Sequence, residues 1–276
     1  MQLINFKFIV FWRNYLNFIE GNDMSKGKNF KKENKHSKIK ILISIMQTVC
    51  IIFIIYSGIR IVEWYTENKH NNKMLDEISE TIKIDNNDYE KDSKINFSEL
   101  KKINSDIVAW IKINNIDVEY PIVKSSNNDF YLSHSLDKSN NSAGWLFADY
   151  RNVFDGNDKN TIIYGHNRKD GSMFGNLKNT LKEEWYENEL NHKIKFITEM
   201  EESNYQVFSI YKIEREDYYI TTNFNKGEYL KFLNTIKNRS VKDFGIELNE
   251  NSQILTLSTC DNNNKYRIVL HAVKIK

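Results

Sequence analysis

The apolar positions of this 276-residue chain fall into stretches of different character. Phe6 to Phe18 is aromatic and apolar, yet too short and too interrupted to span a bilayer. From Ile41 to Ile59 no residue is charged, and Ser44 and Gln47 are the strongly polar side chains before Tyr56. A helix of that length covers about 28 Å, close to the ~30 Å hydrocarbon thickness. A buried core helix would normally carry a polar stripe, so the pattern predicts a membrane span. Residues 66–96 are polar, with Met74, Ile78 and Ile82 at helical spacing, which predicts a stalk or a helix packed on the following domain.

Phe97 to Asn104 reads as a short helix with Leu100 and Ile103 facing inward. From Ile107 the period changes to that of strands: Val108 to Ile113, an Asn114-Asn115 turn, then Val118 to Val123. Further strands are expected at Gly144 to Phe147, Thr161 to Tyr164, Lys193 to Thr198, Asn204 to Tyr211, Ile254 to Thr259 and Tyr266 to Lys274. Two helical inserts are expected, Leu177 to Asn191 and Lys226 to Asn238. In the second, Tyr229, Phe232, Leu233 and Ile236 form an apolar stripe. Short strands with varied connections predict a closed sheet. Pro121 is the lone proline, so no proline-rich linker marks another domain.

Charge refines the picture. Residues 1–40 hold nine Lys/Arg against three Asp/Glu, a net of +6, and the remainder holds 30 against 34, a net of −4. A mildly acidic body without a cationic stripe argues against a nucleic-acid partner. Seven lysines from Lys26 to Lys40 precede the apolar stretch, and Trp64 and Tyr65 follow it as candidate interfacial aromatics. The positive-inside rule then places the N-terminus in the cytoplasm and the body outside. No small-residue cleavage site is evident, which favours an uncleaved signal-anchor. Met24-Ser25-Lys26-Gly27-Lys28 reads as a conventional start of such an anchor. Two readings of residues 1–23 follow: translation begins at Met24, or the segment is an interfacial amphipathic helix. The expected organisation is a basic tail over 1–40, a span over 41–62, a stalk and N-terminal helix over 63–96, and a globular domain over 97–276.

There are two cysteines. Cys50 lies in the span and cannot meet Cys260 in the exported body, so neither a disulfide framework nor a zinc quartet can form within one chain. A free thiol outside the cell is either buried and inert or a nucleophile. Cys260 ends the strand Ile254 to Thr259, a polar turn from Asp261 to Lys265 follows, and Arg267 stands near the start of the next strand. Antiparallel neighbours lie roughly 5 Å apart, so thiol and guanidinium can address one reacting group. That is half of an acyl-transfer site, and a base is missing. His166, 94 residues upstream, ends the β-branched run Thr161-Ile162-Ile163-Tyr164-Gly165 where strand becomes loop. Loops at strand ends carry function disproportionately. His36, His70, His134, His192 and His271 compete with it from charged, polar or strand-interior surroundings. Neither carboxylate nor amide at recognisable spacing completes a papain-like triad.

These residues resemble the sortases, specifically class B. Thr256-Leu257-Ser258-Thr259-Cys260, an arginine seven residues on, and Tyr164-Gly165-His166-Asn167 are similar to the family signature. Trp110-Ile111-Lys112-Ile113, Tyr120-Pro121-Ile122-Val123, Asn128-Asp129-Phe130-Tyr131-Leu132, Gly144-Trp145-Leu146-Phe147-Ala148-Asp149 and Asp170-Gly171-Ser172-Met173-Phe174 extend the resemblance over roughly 97–276 in family order. It implies a mainly β fold with helices: an eight-stranded sortase β-barrel with N-terminal helices and a helix inserted before the cysteine strand. It implies a cysteine transpeptidase of Gram-positive bacteria that needs no cofactor or metal and uses His166, Cys260 and Arg267. Its partners would be exported proteins with a C-terminal sorting signal, cleaved after Thr, and an amino group of a peptidoglycan precursor. Asn128 and Leu132 match segments that line the sorting-signal groove in class B. Ser258, Thr259 and Asp261 flank the nucleophile, with Thr259 offering a backbone amide. The acidic residue that the family sometimes shows two positions after the cysteine is Asn262 here, with Asp261 one position earlier. Alternatives are a pilin-polymerising sortase, which usually adds a lid and often a C-terminal anchor, and a non-catalytic surface-binding barrel in which Cys260 is merely buried.

Overall fold

The computed structural model describes residues 33–84, 95–260 and 265–275, with the side chains of 39–79, 95–259 and 265–275. The readings of residues 1–23, of the Met24 start and of Asp261 therefore lie outside the described residues. The chain divides into two compact units, 1–60 and 61–276.

Helix α1 (Glu33–Ile84) contributes residues to both units. Within the first unit nearly all its apolar side chains stand exposed, up to 70 % at Ile54, with Ile43 half-buried. A helix that is apolar all round belongs in lipid or in a large core, and this one is long and apolar enough to cross a membrane. In the second unit Ile61, Val62, Trp64 and Tyr65 are still exposed, and the character changes from Glu67 onward. Ile78 is fully buried, and Met74 and Leu75 pack against the core of the second unit. Asn71 is buried and accepts from Ser135 Oγ at 2.6 Å and from the Asn141 amide at 3.0 Å. The expected stripe at Met74 and Ile78 is thus a packing face.

The second unit is a closed barrel in the order β1-β2-β3-β4-β7-β8-β6-β5. Helix α2 (Phe97–Ile103) begins where Asn96 accepts from the backbone N–H of Ser98 and Glu99, the ordinary work of an N-cap. Strands β1 (Ile107–Ile113) and β2 (Val118–Val123) form a hairpin whose turn holds Asn115 and Asp117 at positive φ, which Asn and Asp tolerate better than most residues. Strand β3 is two residues, Phe147–Ala148, rather than the four expected from Gly144. Gly144 sits at φ +62°, outside the extended range, so the strand cannot begin there. β4 (Asn160–Gly165), β5 (Lys193–Thr198), β6 (Glu202–Glu214), β7 (Ile254–Cys260) and β8 (Tyr266–Ile275) complete the barrel.

The expected helix over 177–191 is a correction. The segment is a 3-10 turn at Leu177–Leu181, a single helical turn α3 (Glu183–Tyr186) and another 3-10 turn at Glu189–Asn191. Thr180 turns its hydroxyl back to the Leu177 carbonyl, and Asn188 caps Leu190 N–H. Such side chains offer the backbone local alternatives to a continuous helix. Helix α4 (Glu228–Asn238) does form, starting after Gly227 at φ +79°. Its stripe of Tyr229, Phe232, Leu233 and Ile236 packs with Phe208, Tyr211, Ile254, Val269 and Val273. Leu255, Leu257, Leu270 and Ala272, from the opposite faces of β7 and β8, belong to the main core.

Candidate active site

Two registers converge on Cys260. β4 and β7 run parallel from Asn160↔Ile254 to Gly165↔Thr259. His166 and Cys260 are therefore the next residues on two neighbouring parallel strands, whose spacing is about 4.8 Å. β7 and β8 run antiparallel and end with Cys260 directly opposite Arg267. The strands read Ile, Leu and Thr because parallel pairs are buried on both faces, and Ile162, Ile163, Leu255 and Leu257 are fully buried. The hydrophobic run thus sets the register, and the register gathers three chemically active residue types at one rim. Arg267 is half-buried, and its Nη1 donates to the Tyr266 carbonyl at 3.1 Å.

His166 is held by the loops around it. Its Nε2 lies 2.8 Å from the Leu132 carbonyl oxygen. A carbonyl only accepts, so Nε2 carries the proton and Nδ1 is the nitrogen open to other chemistry. Behind the ring the packing leaves no room for side chains. A Cβ on Gly144 would sit 2.6 Å from the Tyr131 carbonyl and 3.0 Å from His166 Cδ2, and one on Gly165 would sit 2.3 Å from Leu146 Cδ2. The loop after His166 folds back through an Asn167–Met173 bridge and a Phe174 N–H bond to the His166 carbonyl. Arg168 and Asp170 in that loop form an ion pair at 3.0 Å, and both bond Asn68 of α1.

Four competing histidines have structural partners. His70 pairs with Asp137 at 2.9 Å, and His134 stacks on Phe130 and bonds its carbonyl. His192 bonds the Tyr186 carbonyl, and burial lowers its pKa. His271 is fully buried. Thr256 gives its hydroxyl proton to Asn160 Oδ1 at 2.6 Å, which leaves its oxygen to accept from His271 Nδ1 at 2.9 Å. Tyr211 then donates to His271 Nε2 at 2.8 Å. His36 lies outside the described side chains.

Beside this rim is a polar cluster. Asp149, fully buried, accepts from Arg151 Nε and Nη2 at 2.7 Å each, from the Tyr164 hydroxyl at 2.8 Å and from the Asn128 amide at 3.0 Å. Burial alone would raise the Asp149 carboxyl, but the bonds from Arg151 and Tyr164 outweigh it and hold the group below the usual carboxylate range. Burial, and then the Asp149 charge, push Tyr164 up. Asn128 is half-buried, with its Oδ1 accepting from Tyr150 N–H, while Leu132 is exposed. Ser258 is buried with its hydroxyl 2.9 Å from that of Tyr219. Thr259 is buried, and its hydroxyl has no hydrogen-bond partner among the described residues. Asp149 and Tyr164 were visible in the sequence only as parts of motifs, with no signal marking them as one cluster. Among the described residues no group of three or more His, Cys, Asp or Glu is placed to hold a metal.

The backbone register thus places a cysteine next to a histidine and opposite an arginine, a set of residue types suited to nucleophilic acyl transfer. Comparison with known proteins agrees. The sortase-domain model matches residues 111–275. The chain is 33 % identical to Sortase B of Staphylococcus aureus over 226 residues, 81 % of this chain and 91 % of that one. It is 34 % identical to Sortase B of Listeria monocytogenes over 235 residues, 83 % and 94 % of the two chains. Among solved structures, the Staphylococcus aureus sortase B–substrate complex superposes with a TM-score of 0.68 at 32 % identity, covering 78 % of this chain and 99 % of that one. With the matching barrel and the matching sequence together, the chain belongs to the sortase family, and within it to the sortase B group of cysteine transpeptidases.

Proposed function

We propose that this sortase is anchored by the apolar part of α1, with its N-terminus in the cytoplasm and its barrel outside. It cleaves exported proteins within a C-terminal sorting signal, after a threonine, and passes them to an amino group of a cell-wall precursor. The registers that bring His166, Cys260 and Arg267 to one rim carry this reading. A similar sortase B has been solved in complex with its substrate, which supports the reading that this barrel too acts on a bound substrate.

An unperturbed thiol is only about 3 % ionised at pH 7, so the nucleophile needs the neighbouring imidazole. The Cys260 thiolate attacks the threonine carbonyl, and the negative charge moves to the carbonyl oxygen. The Arg267 guanidinium stabilises that oxyanion. When the C–N bond breaks, His166 protonates the departing amine as general acid, leaving a thioester on Cys260. The incoming amine reverses these steps: it attacks the thioester, loses its proton to His166 and releases the thiolate. Because Leu132 holds Nε2, the shuttled proton resides on Nδ1. Asn128 and Leu132 line the sorting-signal groove. Ser258, Thr259 and Asp261 flank the nucleophile, and Thr259 lends its backbone amide rather than its side chain.

Full-length protein in detergent micelles, incubated with a panel of sorting-signal peptides and a small amine, provides the test. Mass spectrometry should find a cut after threonine, a thioester on Cys260 and transfer to the amine. Cys260→Ala should abolish all three. Cleavage that survives Cys260→Ala, or a cut elsewhere in the signal, would overturn the reading. Protease added to spheroplasts should remove the barrel and leave a basic stub; a fully protected barrel would reverse the proposed orientation.

A further inference from the structure

Asp149 is a fully buried charge to which the Cys-His-Arg chemistry assigns no task. Its carboxylate accepts from Arg151 through the backbone N–H at 3.0 Å, Nε at 2.7 Å and Nη2 at 2.7 Å, from the Tyr164 hydroxyl at 2.8 Å and from the Asn128 amide at 3.0 Å. A carboxylate offers about four lone-pair sites, so its acceptor capacity is filled. Two of these donors lead to His166 by separate routes. Tyr164 stands two residues before His166 on β4. Asn128 leads into the 3-10 turn Phe130–Leu132, whose last carbonyl receives the His166 Nε2 proton. A third segment joins through Arg151, whose Nη2 also donates to the Ile220 carbonyl at 2.9 Å.

We propose that Asp149 is a positioning residue for transpeptidation: it clamps Tyr164 and Asn128 to one point and so holds the His166 imidazole from the strand below and from the Leu132 carbonyl beside it. A charged acceptor suits this task because charge-assisted hydrogen bonds are roughly twice as strong as neutral ones. Arg151 offsets the cost of burying the charge; without that partner the cost would be prohibitive. Tight positioning matters because a misplacement of about 1 Å can cost ~10²-fold in rate. The proposal rests on the reading of His166 as general acid, but the geometry it asserts exists in the free enzyme.

The test uses full-length protein carrying 15N-labelled histidine. Tyr164→Phe removes a single hydroxyl and keeps the ring in place, whereas Asp149→Asn removes the charge and also threatens folding. In Tyr164→Phe the hydrogen-bonded Nε2–H signal of His166 should move or broaden before any substrate is added. The kcat should fall at least about tenfold with KM changed less than about threefold. A thermal midpoint within a few degrees of wild type would separate this from unfolding. Asp149→Asn should show the same signature more strongly wherever it folds. A purely structural role would lower the midpoint while the His166 signal and the kcat per folded molecule stayed at wild-type values, and that result would overturn the proposal. Full turnover in His166→Ala would instead remove the general-acid reading, and the Nε2–H signal would still decide whether the clamp exists.

Discussion

The 2.8 Å hydrogen bond from His166 Nε2 to the Leu132 carbonyl ties the imidazole of β4's terminal loop to a turn 34 residues away in sequence. It fixes the neutral tautomer, because the acceptor has no proton to give. Nitrogen NMR of neutral His166 should therefore show Nε2 protonated and Nδ1 bare. Turnover requires Cys260 without its proton while His166 keeps its second one. The profile of kcat/KM should be bell-shaped, with both limbs belonging to the coupled pair rather than to either residue. A flat profile from about pH 5 to 10 would remove His166 as general acid.

Arg267 stands opposite Cys260 in the β7–β8 ladder. Were it only a half-buried surface charge, Arg267→Lys would keep the charge and leave the rate within about twofold. An oxyanion role depends on geometry, since guanidinium is a rigid fork of donors and lysine a flexible point charge. Losing a well-aimed donor typically costs ~10²–10³ in kcat, or roughly 3–4 kcal/mol. Arg267→Lys should lose at least about tenfold and Arg267→Ala at least about a hundredfold. Thermal stability should change little, and Cys260 should still react with alkylating agents. Near-normal turnover in Arg267→Ala would leave a Cys-His pair as the whole apparatus.

How far the sequence foretold this arrangement depended on the range of each interaction. Cys260 and Arg267 were legible because a short hairpin connection makes them neighbours whatever the rest of the fold does. The α4 stripe was legible because Tyr229, Phe232, Leu233 and Ile236 obey the helical period. The segment 177–191 misled because its composition suits a helix, while Thr180 and Asn188 spend their side chains on local bonds. The Asp149 cluster was invisible because its members lie 15 and 21 residues away along the chain and meet only through the barrel.

Gly165 tests how tightly the rim is built. A Cβ there would approach Leu146 Cδ2 to 2.3 Å and Phe174 Cδ2 to 2.8 Å. Both neighbours are fully buried, so neither can swing into solvent. Overpacking of this kind typically costs about 1–3 kcal/mol. The strain falls on the residue immediately before His166. Gly165→Ala should therefore lower the thermal midpoint and, assayed well below it, reduce kcat at least about tenfold. A variant with lowered midpoint and undiminished kcat would mean that the strain relaxes away from His166.

His271 should leave its mark on acid stability. Burial, and then the nearby Arg239 charge, push it down to about 3, against roughly 6.5 in an unfolded chain. Between those values the unfolded chain takes up a proton that the folded protein refuses. The stability contributed by the neutral ring is therefore complete above about pH 6.5 and declines as pH falls toward 3. One proton corresponds to about 1.4 kcal/mol per pH unit, so the loss over the window is on the order of 5 kcal/mol. The depressed carboxyls of Asp137, Asp149 and Asp170 add a loss of the same sign at lower pH. Their contribution is full above about pH 5 and declines as the unfolded chain takes up protons at ~3.9 that the folded carboxylates refuse. His192, lowered by burial, adds a slope of the same sign. His271→Gln keeps a donor and an acceptor between Thr256 and Tyr211 but has nothing to titrate. Urea unfolding from pH 7 to pH 4.5 should show a steeper fall in wild type than in His271→Gln, whatever the two proteins' stabilities at pH 7. Parallel curves would mean that His271 accepts its proton inside the fold, and the Thr256–His271–Tyr211 chain would then have to rearrange to hold it.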